Sequence, residues 1–228
     1  MKKIVIFLLI AGLALLFTPY ARAGWILYDN FESGDIDPDK WDSYECSATI
    51  SIQDGKAKFD HKMGCAHVPS FLSFKKKPEN IIGIRATATV ESCAGDVRGL
   101  IGAFIGKLGD DYIADQLCVQ AGQENIWGNL MRLEGGINFL HELFFGNFHY
   151  PIDILGNPFT ITIIYLKKYA TYEVDGLGKI TFKLPESLAP TDDHLKFIGT
   201  RSENGDGPCV VYFDDVYILR CPFVNYSR

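Results

Sequence analysis

The sequence lacks a second long apolar run. After Ile4 to Phe17 no stretch approaches the ~20 apolar residues a spanning helix needs, so the body of the chain is expected to hold no transmembrane helix. Basic clusters are scarce as well, with only Lys75 to Lys77 standing together in a chain of net charge -6. Such a chain is a poor partner for nucleic acid or an anionic membrane. No segment carries a 3.6-residue apolar stripe longer than two turns, which argues against a helical class. There is no Pro/Ser-rich linker, charge block or internal repeat, and no serine or cysteine nucleophile motif. One domain is the expectation.

The first 23 residues read as a secretory signal peptide. Lys2 and Lys3 give a basic start, Ile4 to Phe17 an apolar run too short for a comfortable span, and Ala21-Arg22-Ala23 a small-x-small cleavage site after Pro19. The mature chain then begins near Gly24 and runs to Arg228, secreted or periplasmic. The alternative is an uncleaved N-terminal anchor. Removing three of the 22 basic residues and none of the 28 acidic ones moves the net charge from -6 to -9.

All six cysteines, Cys46, Cys65, Cys93, Cys118, Cys209 and Cys221, lie in the mature part. An even count in an exported chain reads as a disulfide framework, with 15 connectivities for three bridges. Cys46 and Cys65 flank a hairpin turning at Asp54-Gly55 and are the favoured pair. Cys93 with Cys118 and Cys209 with Cys221 are the next guesses. The last fails if both residues stand on one continuous strand, since twelve residues at ~3.3 Å each hold them about 40 Å apart.

The remaining pattern is of short strands. Thr49 to Ile52 and Lys56 to Asp60 form a hairpin across Asp54-Gly55, a type I′ signal. Ile81 to Ser92 alternates well, and Gly99 to Ile105 is apolar and interrupted by glycine. Tyr112 to Gln120, Asn125 to Leu133, Gly136 to Phe145, Phe159 to Leu166, Ala170 to Val174, Lys179 to Lys183 and Leu195 to Thr200 follow. The chain closes on Val210 to Leu219 (VVYFDDVYIL), expected to pair with Trp25 to Phe31 and join the two ends of one sheet. Strict alternation there places one carboxylate on each face, Asp214 with Val210 and Val216, Asp215 with Val211 and Phe213. An unpaired charge among apolar groups is costly, so a bulge or a cation is required. About a dozen short strands separated by turns mean an all-β sandwich or barrel.

The opening DNFESGDIDPDKW (Asp29 to Trp41), YATYEVDG (Tyr169 to Gly176) and the closing VVYFDDVYIL together resemble the concanavalin A-like lectin and glucanase superfamily, which includes laminin-G-like modules. The resemblance covers nearly the whole mature chain and implies a two-sheet antiparallel jelly roll with its terminal strands side by side. It implies carbohydrate on the concave sheet or its rim, and Trp41 as a packing residue. Laminarinase-type hydrolases of that superfamily carry E-x-D-x-x-E on one strand, and retaining hydrolysis needs two carboxyls about 5 to 5.5 Å apart. No stretch here fits. Arg132-Leu133-Glu134 and His141-Glu142 offer one acid each, and Asp110 to Asp115 has no glutamate.

The candidate binding surface is aromatic and polar. Trp127 and Asn129, with Arg132 and Glu134 further along and His141 and Glu142 in the next segment, offer a flat ring for sugar C–H faces and polar groups for hydroxyls. Trp127 is the leading candidate. For metal, the resemblance implies a structural calcium between the opening and closing segments, where Asp29, Asp214 and Asp215 are the named ligands and Glu32, Asp35 and Asp37 supply further oxygens. His61, Cys65 and His67 have zinc-compatible spacing, but a cysteine in an oxidising compartment belongs in a bridge.

The resulting expectation is an exported, non-catalytic, lectin-like module that binds a carbohydrate or cell-surface glycan. The alternatives are a laminarinase-like glycoside hydrolase with non-standard catalytic acids and a protein-binding or adhesion scaffold.

Overall fold

The structure, a computed structural model, describes residues 24–62, 69–121, 126–134, 141–166, 168–184, 195–202, 204 and 207–220. The expected signal peptide lies outside these residues, as do Cys65, His67 and Cys221. Among the described residues fifteen strands form two antiparallel sheets. In chain order these are β1 (Trp25–Asp29), β2 (Trp41–Tyr44), β3 (Ala48–Gln53), β4 (Lys56–His61), β5 (Ser70–Phe74), β6 (Ile81–Cys93), β7 (Val97–Leu108) and β8 (Asp111–Gln120). They continue with β9 (Ile126–Glu134), β10 (His141–Tyr150), β11 (Pro158–Leu166), β12 (Tyr169–Val174), β13 (Gly178–Lys183), β14 (Lys196–Ser202) and β15 (Cys209–Arg220).

The eight-stranded sheet runs β13-β12-β11-β6-β15-β4-β3, with β1 added alongside β15. The seven-stranded sheet runs β10-β9-β8-β7-β14-β5-β2. β4, β5, β6 and β12 alternate in burial as half-buried strands should, β7 and β8 are buried along most of their length, and the inward residues meet in one core. Ile84, Ala86, Ala88 and Val90 of β6 face it from one sheet, and Ile113, Leu117 and Val119 of β8 from the other. The expected all-β sandwich is what forms. No helix among the described residues is long and apolar enough to cross a membrane.

The two ends of the chain meet as the sequence suggested, with Ile26 opposite Ile218 and Leu27 opposite Tyr217. The conflict in the closing strand is resolved by a bulge. Register shifts between Asp214 and Tyr217, and Asp215 takes φ +48°. The extra residue reverses the alternation: Val211 and Phe213 face inward before it, Val216 and Ile218 after it, all fully or nearly fully buried. Neither carboxylate enters the core. The Asp214 carboxylate accepts the Asp215 N–H at 2.8 Å, and Asp215 is exposed.

The turn at Asp54-Gly55 has φ +52° and +70°, as a type I′ hairpin requires. Trp41 packs in the core against Tyr28, Phe31 and Phe74. The cysteines depart from expectation. Cys93 and Cys209 are a directly opposed pair on β6 and β15, Cα atoms 4.1 Å apart, and are bridged to each other. The pairings of Cys93 with Cys118 and of Cys209 with Cys221 are therefore replaced, and Cys118 is a free, buried thiol. Cys46 is disulfide-bonded as well. The expected Cys46–Cys65 bridge involves a residue outside the described ones.

Candidate functional site

Directly opposed residues in an antiparallel ladder put their side chains on the same face. Following that rule across the seven-stranded sheet gives one straight row on its outer face. Tyr44 of β2 opposes Phe71 of β5, Phe71 opposes Gly199 of β14, and Gly199 opposes Leu100 of β7. Leu100 then opposes Cys118 of β8, which opposes Trp127 of β9, which opposes His149 of β10. Tyr44 and Trp127 stand five strands apart, about 24 Å at ~4.8 Å per strand.

The row is apolar and flanked by polar groups. The Tyr44 and Phe71 rings stack with centroids 5.2 Å apart, and Phe197 joins them at 5.2 Å from Phe71. Tyr44 is 46% exposed, the most open aromatic of the row. Glycine is required beside these rings: a Cβ at Gly102 would lie 2.8 Å from the Phe197 ring, and one at Gly199 would lie 2.8 Å from the Phe71 Cβ. On one side run Ser73, Phe197, Gly102, Gln116 and Asn129, linked strand to strand by register. On the other side run Arg201, Arg98 and Gln120.

Trp127 is half-buried and held on two sides. The Arg98 guanidinium lies 4.9 Å from its ring centroid, a cation–π contact. Its indole N–H donates to the Gln120 side-chain oxygen, and the Gln120 amide donates to Asp96. Behind the row, the Tyr172 hydroxyl crosses the core from β12 and donates to the Asn129 backbone oxygen at 2.8 Å, pinning β9 from its inner side. Burial pushes the Cys118 thiol up to about 12, against a lowering by the nearby Arg98 and Arg201 charges. That thiol is floor and has no nucleophilic character at neutral pH.

The predicted residues are not all brought together. Trp127 and Asn129 share the outer face with Met131 and Leu133, which pack there with Ala114, Phe104 and Tyr112 in a small apolar cluster. Arg132 is an odd number of residues from both and shares its face with Ile113 of the core. There it binds Asp111, with Nε 2.7 Å from the carboxylate oxygen. Arg132 thus braces the sheet and does not join Trp127. The backbone of Glu134 opposes His141 and that of Glu142 opposes Leu133; their side chains lie outside the described residues. Sequence reasoning missed Tyr44, Phe71, Phe197, Gln116, Gln120 and Arg98. The spacing of Gln116 and Gln120 within one alternating strand was the available signal.

Among the described residues of β7, β8 and β9, no carboxylate faces outward. The acid in the middle of β8, Asp115, points the other way. It opposes Ala103 and Leu130, both core residues, and is 2% exposed. Lys196, 4% exposed, opposes Ala103 from the other side and so faces inward too, its Nζ 5.6 Å from the Tyr165 ring centroid. Burial holds the Asp115 carboxyl well above the usual carboxylate range, and the Lys196 charge opposes that shift.

Of the residues expected to bind calcium, Asp29 is engaged with protein groups. Asp29 is buried and its carboxylate is committed, accepting from the Phe31 N–H at 3.0 Å and the Trp41 indole at 2.8 Å with Lys40 Nζ at 3.4 Å. It ties the opening segment to the core. Among the described residues no three acidic, histidine or cysteine side chains are placed to hold a metal ion. His61, from the zinc-spaced group, is fully buried with both ring nitrogens lacking hydrogen-bond partners, and burial lowers its pKa.

Solved structures share this architecture over most of the chain. An apo Crh5 transglycosylase matches with a TM-score of 0.59 at 13% identity, covering 87% of this chain and 85% of that one. The laminarinase from Flavobacterium sp. UMI-01 matches with 0.58 at 13%, covering 84% and 98%. The Bacillus licheniformis beta-glucanase matches with 0.56 at 11%, covering 88% and 100%. The fold is therefore the concanavalin A-like jelly roll. No protein-family model and no curated protein matches the sequence.

Proposed function

We propose that the protein is an exported, non-catalytic carbohydrate-binding module whose ligand lies along the outer face of the seven-stranded sheet, from Tyr44 toward Trp127. The observation that carries this reading is the row itself: an apolar floor with aromatic groups at both ends, flanked by the largely buried side chains of Gln116 and Asn129 on one side and Arg98 and Gln120 on the other. Sugar recognition uses that mixture, apolar surface against C–H faces and fixed polar groups for hydroxyls. A span of about 24 Å suits a chain of several sugars better than one.

The fold neighbours named as a laminarinase and a beta-glucanase motivate a hydrolase as the second reading. Against it stands the outward face of β7 to β9, which offers amides, arginine and apolar groups where a retaining hydrolase needs two carboxyls about 5 to 5.5 Å apart.

A glycan array with the purified, oxidised protein and its Trp127→Ala and Tyr44→Ala variants tests the proposal, together with an assay for released reducing sugar. The expected result is binding to an oligosaccharide, weakened in both variants, without sugar release. Release would replace it with the hydrolase reading. Silence in both assays would favour a scaffold for protein contacts.

A further inference from the structure

The outer face of the other sheet holds an open cleft of about 300 Å³, at the small end of the range for small-molecule sites. Three irregularities in otherwise regular strands converge to make it. The tip of the β3–β4 hairpin, at Gln53 to Lys56, forms one wall through its left-handed Asp54-Gly55 turn. On β6, Val210 opposes Ser92 while Val211 opposes Val90, so Glu91 is the extra residue of a bulge and projects into the cleft. Opposite, Gly156 donates its N–H to the Val90 carbonyl at 2.8 Å, and Leu155 bridges Val90, strapping that loop to the sheet. Tyr212 and Thr89, opposed across β15 and β6, form the floor.

The lining alternates donors and acceptors around one aromatic ring. Thr89, Gln53 and Lys56 can donate, Asp54 and Glu91 accept, and Tyr212 offers a ring and a hydroxyl. Partial burial, then the charge of Glu91 and a hydrogen bond to it, raise the Tyr212 phenol above its usual value, with Asp54 and Asp60 adding to the effect. Two carboxylates, Asp54 and Glu91, line the cleft against one cation, Lys56, so the local field is negative.

We propose that this cleft is a second binding site, taking a single neutral pyranose unit by its hydroxyls and one C–H face and rejecting uronic acids. It lies on the opposite sheet from the row of Tyr44 and Trp127 and does not rest on that reading.

The test is ¹H–¹⁵N correlation NMR of the labelled protein titrated with methyl β-D-glucopyranoside, methyl β-D-galactopyranoside and glucuronate. At least one neutral pyranoside should shift the amides of Gln53, Lys56, Thr89, Glu91 and Gly156 saturably, and glucuronate should not. Glu91→Ala and Tyr212→Phe, each checked by unchanged amide dispersion elsewhere, should each weaken the response about tenfold, as loss of a hydrogen bond to a charged or phenolic group does. Trp127→Ala should leave it intact, separating this site from the other face. No shift at these amides with either neutral pyranoside up to about 100 mM, a millimolar-range ceiling for weak ligands, overturns the proposal. So does equal binding of glucuronate, or a response that survives both cleft variants.

Discussion

The most demanding prediction concerns Asp115 and Lys196, which face each other across Ala103 inside the sandwich. Both are nearly fully buried in a layer otherwise made of Leu130, Ala103 and the inward aromatic rings. Neither charge alone tolerates that environment. Lys196 is the opposite charge that lowers the Asp115 carboxyl, and leaving a buried polar group without its compensation typically costs about 1–3 kcal/mol, whereas replacing both with apolar groups of similar shape is near neutral or stabilising. For a domain of this size each kcal/mol moves Tm by roughly 2–4 °C. Lys196→Met should therefore lower Tm by about 2–12 °C, and the double variant Asp115→Leu/Lys196→Met should unfold at or above the wild-type temperature.

The pH dependence supplies an independent check. In Lys196→Met the Asp115 carboxyl loses the charge that lowers it and rises further above the usual carboxylate range. The folded state then holds a proton that the unfolded chain gives up above about pH 4, so stability falls as pH rises, by at most about 1.4 kcal/mol per unit. The stability of Lys196→Met should thus fall from pH 5 to pH 8 at least as steeply as that of wild type. Calorimetry at both values reads this directly. A Lys196→Met protein as stable as wild type at both pH values would show that the two groups do not share a buried layer, and would refute the reasoning.

Two further outcomes follow from the core. His61 is buried without hydrogen-bond partners and its pKa is lowered; the unfolded chain therefore binds more protons just below pH 6.5, and stability present above that pH is lost as pH falls through it, by at most about 1.4 kcal/mol per unit. His61→Leu should flatten the stability curve between pH 7 and 5, and a curve parallel to wild type would place His61 in contact with water. Replacing the bridged Cys93 and Cys209 by alanine should cost about 2–5 kcal/mol, or roughly 4–20 °C in Tm. Non-reducing peptide mapping should recover a Cys93–Cys209 peptide while native Cys118 resists thiol reagents, and a Cys93–Cys118 peptide would reject this pairing.

Much of the fold was legible because period-two alternation and turn residues are local signals. The Asp54-Gly55 hairpin, the long β6 and the partnership of β1 with β15 all followed from them. The two strands missed, β2 and β5, are only four and five residues long and carry no hairpin turn signal between them. They supply Tyr44 and Phe71. The disulfide escaped for a related reason: Cys93 and Cys209 are 116 residues apart, and only the pairing of β6 with β15 brings them together. Arg132 is a different kind of miss. Its odd spacing from Trp127 and Asn129 already assigned it to the other face, had strand alternation been applied within the segment.

The same alternation bears on what the outer face can do. Along β8 the outward positions are Tyr112, Ala114, Gln116, Cys118 and Gln120, and the inward ones include Asp115. A one-residue slip of register would exchange the two sets, turning Asp115 to the outer face and two glutamines into the core. What opposes the slip is the inward set itself. Ile113, Leu117 and Val119 are fully buried, and a slip would take all three out of the core. The inward Asp115 is thus held in place by its apolar neighbours on the strand, with Lys196 on the far side of β7 in the same sheet. The outward positions of β8 are left with amides, which both donate and accept hydrogen bonds.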